Sequence, residues 1–374
     1  MKNKKEVSKS EKLKAKQELI LTLRYTQMDN WKIGITGGAG YIGSSIATEL
    51  SQTFNIKLLD LKKPQNTMPK NVTFQTCDVR NYKEVKEASK DVDLLIHSAI
   101  IQIPTITEKK DLAYEVNFTG TQNICHAAVG NPKIKGLILS GSWHTIGEKG
   151  LRGTINEEFG FRPDKVEERA RLYALSKMAQ EATVRFFDEM TPKVFGIIRM
   201  GTVLGDGMPE KTAANIFIEN GLKGKPLTPF KQSMYRPMLY VDIKDIAKAY
   251  QIYATKILKD QISKNGNSMN DIFNVYYPEA ITIIELAEMT KEAIMEQTNS
   301  KIQPKIDIVD NNQPAAFDKK DKELIQVDTS KAEAFFGGMK LKSPKESIKE
   351  IVKIRAQRLK FTNPNFLNPN ANQT

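Results

Sequence analysis

This sequence has few of the residues that cross-link a protein or bind a metal. Its 374 residues include two cysteines and three histidines. Cys77 and Cys125 are too few for a disulfide framework or a zinc site, and His97, His126 and His144 show no ligand spacing. We therefore expect no metal site, and we expect reduced, buried thiols in a cytoplasmic protein.

Long apolar runs and an excess of acidic residues are also missing. No apolar run approaches the roughly 20 residues of a membrane-spanning helix, and the stretch at 19–23 is too short for a secretion signal. Lys and Arg total 56 against 44 Asp and Glu, a formal net charge of +12. Only 11 of these 56 are Arg, and no DNA-reading motif is recognisable. We expect no membrane or nucleic-acid partner, and the charge fits a phosphate-bearing ligand.

What the sequence does contain is an alternation of short apolar runs with amphipathic segments, which is typical of βαβ units. Strands are predicted at Lys32–Thr36, Ile56–Asp60, Val72–Asp78, Val92–His97, Gly136–Ser142 and Val194–Arg199, with strand-like returns at Met238–Val241 and Ile272–Val275. Helices are predicted at Tyr41–Thr53, Tyr82–Ala88, Asp111–Val129 and Glu168–Met190. The pattern predicts an α/β protein with a doubly wound parallel sheet and a smaller mixed C-terminal domain.

A glycine-rich turn directly follows the first predicted strand. It carries three glycines at equal spacing: Gly37, Gly40 and Gly43. Such a turn lets backbone N–H groups approach a pyrophosphate at the start of the next helix. Asp60 ends the second strand, where an acid accepts both adenosine-ribose hydroxyls and repels a 2′-phosphate. NAD is therefore favoured over NADP, although Lys62 and Lys63 could tolerate the extra phosphate.

Four segments strengthen this interpretation: Asp60, Asp78-Val79, His97-Ser98-Ala99 and Asn117-Phe-Thr-Gly-Thr121. With the glycine turn, they resemble the extended short-chain dehydrogenase/reductase superfamily and, more narrowly, the NAD-dependent epimerase/dehydratase family. The resemblance covers about residues 31–355 and implies a Rossmann-type fold with NAD as cofactor. The implied cofactor residues are Gly37, Gly40, Tyr41, Ile42, Gly43, Asp60, Asp78, Val79, Ser98, Ala99, Asn117, Tyr173 and Lys177. For Asp78, which would meet the adenine, the alternative is a cap for the helix that begins near Tyr82.

The family's chemistry uses a phenol, a lysine and a hydroxyl. Tyr173 and Lys177 lie at i and i+4 on one predicted helical face, where the ammonium would stabilise a tyrosinate. The same spacing recurs twice elsewhere, at Tyr82 with Lys86 and at Tyr240 with Lys244. Only Tyr173 lies on the helix after the fifth strand. The resemblance implies Ser142 as the hydroxyl, with Ser140 as the alternative.

The residues after Ser142 bear on the reaction. Family members that dehydrate nucleotide sugars place Asp-Glu there, whereas this chain has Trp143-His144, so dehydration is disfavoured. The resemblance then implies an NAD-dependent epimerase of a nucleotide sugar. Arg199 and Arg236 would grip its diphosphate, or else form ion pairs. The segment after Arg199 lacks the Asn of UDP-galactose 4-epimerases, which argues against galactose as the sugar.

Two other functions stay open at this point. One is an NAD-dependent dehydrogenase of a sugar, a uronate or another secondary alcohol, in which His144 and Arg199 would hold a substrate carboxylate or hydroxyl. Instead of holding substrate, His144 could equally be a packing residue beside Trp143. The other is a non-catalytic NAD-binding regulator. Retention of Ser142, Tyr173 and Lys177 argues against the regulator.

The chain divides into an NAD-binding domain and a substrate-binding domain. Residues 28–200, with returns near 236–250 and 271–276, form the first, and residues 201–235 and 277–355 form the second. Residues 1–27 are a basic extension and residues 360–374 an Asn/Pro-rich tail, both expected to be disordered. Two predicted helices resemble the pair through which family members dimerise, so we expect a homodimer. Residues Met178, Ala179, Ala182 and Phe186 would face the partner or pack inward.

Overall fold

The computed structural model describes residues 30–64, 67–264 and 266–362. Its strands are β1 (Lys32–Thr36), β2 (Asn55–Asp60), β3 (Val72–Thr76), β4 (Leu94–His97), β5 (Gly136–Ser142), β6 (Gly153–Ile155), β7 (Val194–Met200), β8 (Thr202–Leu204), β9 (Pro237–Met238), β10 (Tyr240–Asp242), β11 (Ile272–Val275), β12 (Ile281–Thr282) and β13 (Ile325–Val327). Its α-helices are α1 (Tyr41–Leu50), α2 (Tyr82–Ala88), α3 (Thr105–Glu108), α4 (Lys110–Tyr114), α5 (Gly120–Gly130), α6 (Arg171–Glu189), α7 (Ala213–Leu222), α8 (Ile243–Leu258), α9 (Ile283–Gln297), α10 (Ser330–Phe335) and α11 (Pro344–Thr362). Within these ranges, no helix is both long and apolar enough to span a membrane.

Seven parallel strands form the central sheet in the order β3-β2-β1-β4-β5-β7-β11. Every residue of β5 and β7 is buried, as expected when helices cover both faces of a parallel sheet. Successive residues alternate between two apolar cores: Leu137 and Leu139 pack into one, and Ile138 into the other. The strand order reverses between β1 and β4, which opens a crevice at their carboxyl ends. The predicted doubly wound sheet is confirmed.

The structure departs from the predicted strands and helices in two places. The returning segment at 238–241 stays outside that sheet, because β10 pairs with β8 and β9 pairs with β12 in separate two-stranded sheets. The predicted helix Asp111–Val129 contains a π-helical turn at Glu115–Thr119 between α4 and α5. The predicted return at 272–275 does join the sheet, as β11 beside β7.

The proposed substrate-binding domain consists of chain segments that meet in space. Isolated bridges join Leu227 to Ile306 and Phe230 to Val309, so its two stretches contact each other. Strand β13 also pairs with β6, which lies in the interval between Ser142 and Tyr173. The predicted extension at 1–27 and the tail from 363 onward lie outside the described residues, while α11 continues to residue 362.

Close packing of α8 on the sheet predicts a sensitive glycine. A Cβ on Gly196 of β7 would lie 2.0 Å from the Tyr253 hydroxyl. That hydroxyl donates a hydrogen bond to the Asp271 carbonyl at 2.9 Å, and the Tyr253 ring packs edge-on against Phe273, so it cannot move freely. We expect Gly196→Ala to lower the free energy of unfolding by about 1–3 kcal/mol in urea titrations. Gly130→Ala, whose Cβ meets nothing within 4 Å, is the control, and equal losses would contradict the prediction.

Candidate active site

The glycine turn between β1 and α1 is built for close approach of a ligand. Gly37 has a φ of +65°, a conformation that favours glycine. A Cβ on Gly43 would lie 2.3 Å from the Gly37 carbonyl oxygen, so both positions exclude a side chain. Helix α1 begins after Gly40 with no side-chain cap, and its first turn has no acid. Its first N–H groups can therefore receive a pyrophosphate.

Asp60 lies at the carboxyl end of β2, beside this turn. Its carboxylate accepts hydrogen bonds from the Ala39 backbone N–H at 3.0 Å and from the Lys62 backbone N–H at 3.4 Å. These bonds hold the carboxylate at the edge of the crevice, where it suits a ribose diol. Lys62 and Lys63 are exposed to solvent.

Asp78 follows β3 and forms an ion pair with Arg80. Its carboxylate accepts hydrogen bonds from Arg80 Nε at 3.0 Å and Nη2 at 2.6 Å, which hold the Asp78 pKa below its usual value. The alternative role of Asp78 as a helix cap is wrong, because the Asn81 side chain caps α2 by accepting from two backbone N–H groups. Val79 is buried beside it.

The segment after β4 connects the crevice to helix α6 (Arg171–Glu189). Ser98 and Ser140 share a hydrogen bond of 2.5 Å between their hydroxyls, and Ala99 follows Ser98 at the same sheet edge. The Asn117 side chain accepts from the Ile101 N–H at 2.7 Å and donates to the Ile101 carbonyl at 3.1 Å. Asn117 thus fixes the backbone that lines the crevice, and a direct contact with cofactor stays a prediction.

Tyr173, Lys177 and Ser142 come together at the carboxyl end of β5. The Tyr173 phenol is hydrogen bonded to Ser142 but is otherwise desolvated, and burial raises its pKa to about 12. Lys177 Nζ donates to the Ser140 carbonyl at 2.8 Å, and burial lowers the pKa of Lys177 to about 7. A phenol, a hydroxyl and a weakly basic amine at one strand end form a candidate proton-transfer site. Their assignment as catalytic residues stays a prediction.

His144 lies directly against this cluster. Its ring stacks on Trp143 with centroids 4.6 Å apart and meets the Tyr173 ring edge-on at 5.8 Å. Burial and, to a smaller extent, the nearby Arg236 charge together lower the pKa of His144 to about 3, so the ring is neutral. Ser142 Oγ accepts from the His144 backbone N–H at 3.2 Å, which leaves the Ser142 hydroxyl proton for another acceptor. His144 therefore packs beside Trp143 and also borders the candidate site.

Both predicted phosphate-binding arginines are buried in ion pairs. Arg199 donates to Glu181 from Nε at 2.9 Å and from Nη2 at 2.5 Å, and to the Glu157 carbonyl at 2.8 Å. Arg236 pairs with Glu167, while its buried Nε has no partner among the described residues. The ion-pair alternative describes both side chains in this structure. A substrate contact stays a prediction, and the buried Arg236 Nε offers a free N–H group for one among the described residues.

Sequence reasoning missed two residues of this site, Gln180 and Glu181. Gln180 accepts a hydrogen bond from Lys177 Nζ at 3.0 Å, and Glu181 holds Arg199. Gln180 lies three positions after Lys177 and Glu181 lies four positions after it, so they share its helical face. That spacing was the available signal, because polar residues on the buried face of a helix need partners.

The buried Arg199–Glu181 pair predicts a large loss of stability when one partner is removed. Glu181→Ala leaves the Arg199 charge uncompensated in a buried position, and we expect unfolding free energy to fall by about 3–5 kcal/mol. Glu219→Ala is the control, since Glu219 forms an exposed pair with Lys223 at 3.6 Å and should lose less than about 1 kcal/mol. Similar shifts in the two denaturation curves would contradict the prediction.

Comparisons with known proteins show which family the sequence matches. The model of the NAD dependent epimerase/dehydratase family matches residues 33–274. UDP-glucose 4-epimerase of Rickettsia bellii is 27% identical over 264 residues, covering 64% of this chain and 70% of that protein. Short-chain dehydrogenase/reductase family 42E member 1 of Danio rerio is 30% identical over 114 residues, which cover 30% of this chain and 29% of that protein.

A solved structure supports the same fold. The structure of Thermus thermophilus UDP-glucose 4-epimerase in complex with NAD matches with a TM-score of 0.68 and 24% identity, covering 87% of this chain and 99% of that chain. The family match spans more than half of the present sequence. The glycine cradle, the uncapped α1 N-terminus and Asp60 fit the dinucleotide. The chain belongs to the NAD-dependent epimerase/dehydratase family, and NAD is its cofactor.

Proposed function

We propose that this chain is an NAD-dependent epimerase of a nucleotide sugar. The observation that carries the proposal is the Ser142–Tyr173–Lys177 cluster, which offers one phenol for proton transfer beside a neutral His144. The residues after Ser142 are Trp143 and His144, where dehydration would call for a second acid. The similarity to a UDP-glucose 4-epimerase supports a nucleotide sugar as the substrate class.

The proposed reaction moves one proton to and from Tyr173. The Tyr173 oxygen, in its phenolate form, accepts the proton of a substrate carbinol, while the Ser142 hydroxyl donates a hydrogen bond to that carbinol oxygen. When bound, NAD would supply the hydride acceptor and donor for that carbon. After the keto sugar has rotated to present its other face, Tyr173 returns the proton to the sugar oxygen. The proton count is therefore unchanged at the end of each turnover.

Lys177 makes this proton transfer accessible at neutral pH. Burial raises the pKa of Tyr173 to about 12 even though the Ser142 hydrogen bond lowers it, so the phenolate needs a nearby positive charge. With a pKa of about 7, Lys177 is ammonium in a large fraction of molecules near neutrality. Rising pH removes this charge from Lys177, so we expect activity to decline on the alkaline side.

Arg236 is the proposed contact for the diphosphate. Its guanidinium is paired with Glu167, and its Nε has no partner among the described residues. A diphosphate carries more negative charge than one carboxylate and accepts bidentate hydrogen bonds from arginine. Substrate binding would then exchange Glu167 for phosphate at Arg236.

The proposed function makes a prediction about turnover. Given UDP-glucose, UDP-N-acetylglucosamine and UDP-glucuronate, the purified protein should convert at least one to its epimer without net NADH, and native mass spectrometry should show retained NAD. Tyr173→Phe should lower turnover by at least about 10²-fold because its phenol oxygen is lost. Tyr82→Phe, a change at an exposed Tyr-x-x-x-Lys, should leave turnover unchanged.

Three results would contradict parts of this proposal. Stoichiometric NADH formation from a sugar or uronate would identify a dehydrogenase instead. Full activity of Tyr173→Phe would remove the proposed proton carrier. Binding of NAD with no turnover of any of the three UDP-sugars would count against the substrate class and favour the non-catalytic alternative.

We also propose that the chain forms a homodimer through α6 and its neighbours. Met178 is buried against the protein's own core, whereas Ala182 is exposed and Phe186 is 65% exposed. Tyr114, at the end of α4, is 60% exposed as well. Apolar side chains with this exposure on α4 and α6 support a protein–protein contact.

The dimer prediction is tested by one surface substitution. Phe186→Glu should convert the dimer to a monomer in sedimentation experiments, because it would bury a charge in an apolar contact. Phe230→Glu is the control. It changes a 50% exposed phenylalanine in the segment 201–235, outside α6, and should leave the sedimenting mass that of the dimer. A wild-type monomer, or a dimer that survives Phe186→Glu, would contradict the proposed interface.

A further inference from the structure

A buried chain of polar side chains leads from the catalytic lysine into the core. Lys177 Nζ donates to Gln180 Oε1 at 3.0 Å, and Gln180 Nε2 lies 2.9 Å from Thr121 Oγ1. The same Thr121 oxygen lies 2.9 Å from His97 Nε2, and His97 Nδ1 lies 2.7 Å from Thr36 Oγ1. All five side chains are buried, and Gln180 is only 1% exposed.

The number of hydrogen-bond donors along this series of side chains fixes the orientation of the Gln180 amide. The single Thr121 hydroxyl proton is used in a hydrogen bond to the Asn117 carbonyl at 2.8 Å. Thr121 Oγ1 therefore accepts from both of its other partners, which makes His97 Nε2 and Gln180 Nε2 the donors. The Gln180 carbonyl oxygen must then face Lys177. The flipped amide would set its NH₂ group against the ammonium and lose both bonds.

His97 supports the same orientation from the β4 side. With its proton on Nε2, the ring accepts from the Thr36 hydroxyl at Nδ1 and is neutral. Burial lowers the pKa of His97 to about 3, and the Lys177 charge acts in the same direction. A neutral ring adds no charge beside the ammonium, so it can serve as a fixed donor over the working pH range.

The Lys177 ammonium has few other acceptors. Among the described residues it donates to the Ser140 carbonyl and to Gln180 Oε1. Of these two, only Gln180 Oε1 is a side-chain acceptor. Removal of Gln180 would leave a buried ammonium with one acceptor, which disfavours its charged form.

We propose that Gln180 is a positioning residue for Lys177: its amide holds the ammonium near Tyr173 and supplies the acceptor that keeps it charged. This role rests on the proposed function of Tyr173 and Lys177. Gln180 touches Lys177 but not the phenol, so it acts on proton transfer only through the lysine. Thr121 and His97 fix the amide and thereby the direction from which Lys177 is held.

Other ionisable groups around Lys177 define what the test must separate. Tyr173 shares its helix, His97 lies on β4, and Tyr250 of α8 donates to the Ser140 hydroxyl at 2.7 Å. Burial raises the pKa of Tyr250 above its usual value, so it is neutral throughout the working range. Glu181 is neutralised by Arg199. A changed titration of Lys177 after substitution of Gln180 would therefore report the lost acceptor.

The experiment measures Lys177 directly, by NMR titration of isotope-labelled lysine in the full chain, with Lys177→Met to assign the signal. Gln180→Met removes the acceptor and should lower the Lys177 pKa by about one unit. Gln180→Glu keeps the shape but adds a negative charge, and should raise it by a similar amount. Gln326→Met, at an exposed glutamine on β13, should leave the titration unchanged.

Turnover supplies the second readout and separates this proposal from the proposed function. This readout uses the UDP-sugar that the wild type converts best. The pH at which kcat declines on the alkaline side should fall in Gln180→Met and rise in Gln180→Glu. Folded variants with an unchanged Lys177 titration would overturn the positioning role and leave Gln180 as a packing residue. Shifted titrations in a chain that turns over no UDP-sugar would support the role of Gln180 and contradict the epimerase.

Discussion

The burial of the Lys177 ammonium is the constraint on which the rest of the site depends. A lysine head group in a water-poor interior favours its neutral form, and burial lowers its pKa to about 7. The charged form survives because Ser140, at the end of β5, and Gln180, one turn along α6, each offer an oxygen. The end of β5 and helix α6 must therefore hold a fixed separation, and in the proposed mechanism the residues that set this separation would affect proton transfer without touching substrate.

One face of α6 meets that requirement. Tyr173, Lys177, Gln180 and Glu181 lie at i, i+4, i+7 and i+8, so all four point toward the sheet. Glu181 binds Arg199 at the end of β7, while Lys177 binds the neighbouring strand β5. Two adjacent strands are thus tied to consecutive turns of one helix. The Arg199 side chain, predicted as a phosphate ligand or an ion-pair residue, belongs to this scaffold in the structure.

Local patterns in the sequence were sufficient for the sheet and for the cofactor crevice. Strands buried on both faces are visible as short apolar runs, and the glycine turn needs no distant residue to be recognised. For Gln180 the sequence offers only its spacing from Lys177 on the helix, because its partner Thr121 is 59 residues away. The pairing of β6 with β13 and the contact of Glu167 with Arg236 also depend on distant segments. Such pairings leave no periodic signal in one sequence.

The Glu167–Arg236 pair gives the proposed substrate site an electrostatic preference. A neutral sugar hydroxyl cannot replace a carboxylate at a buried guanidinium, because the exchange would leave the Arg236 charge unpaired, although Glu167 keeps its ion pair with Arg169. A diphosphate can, since it restores the charge balance at Arg236 and offers more acceptor oxygens. Glu167 lies on the chain segment between Ser142 and Tyr173, three residues after Asp164 of a short 3₁₀ turn. Its release would free that segment from Arg236, so an anionic substrate would both fill the arginine site and alter the segment that borders Tyr173.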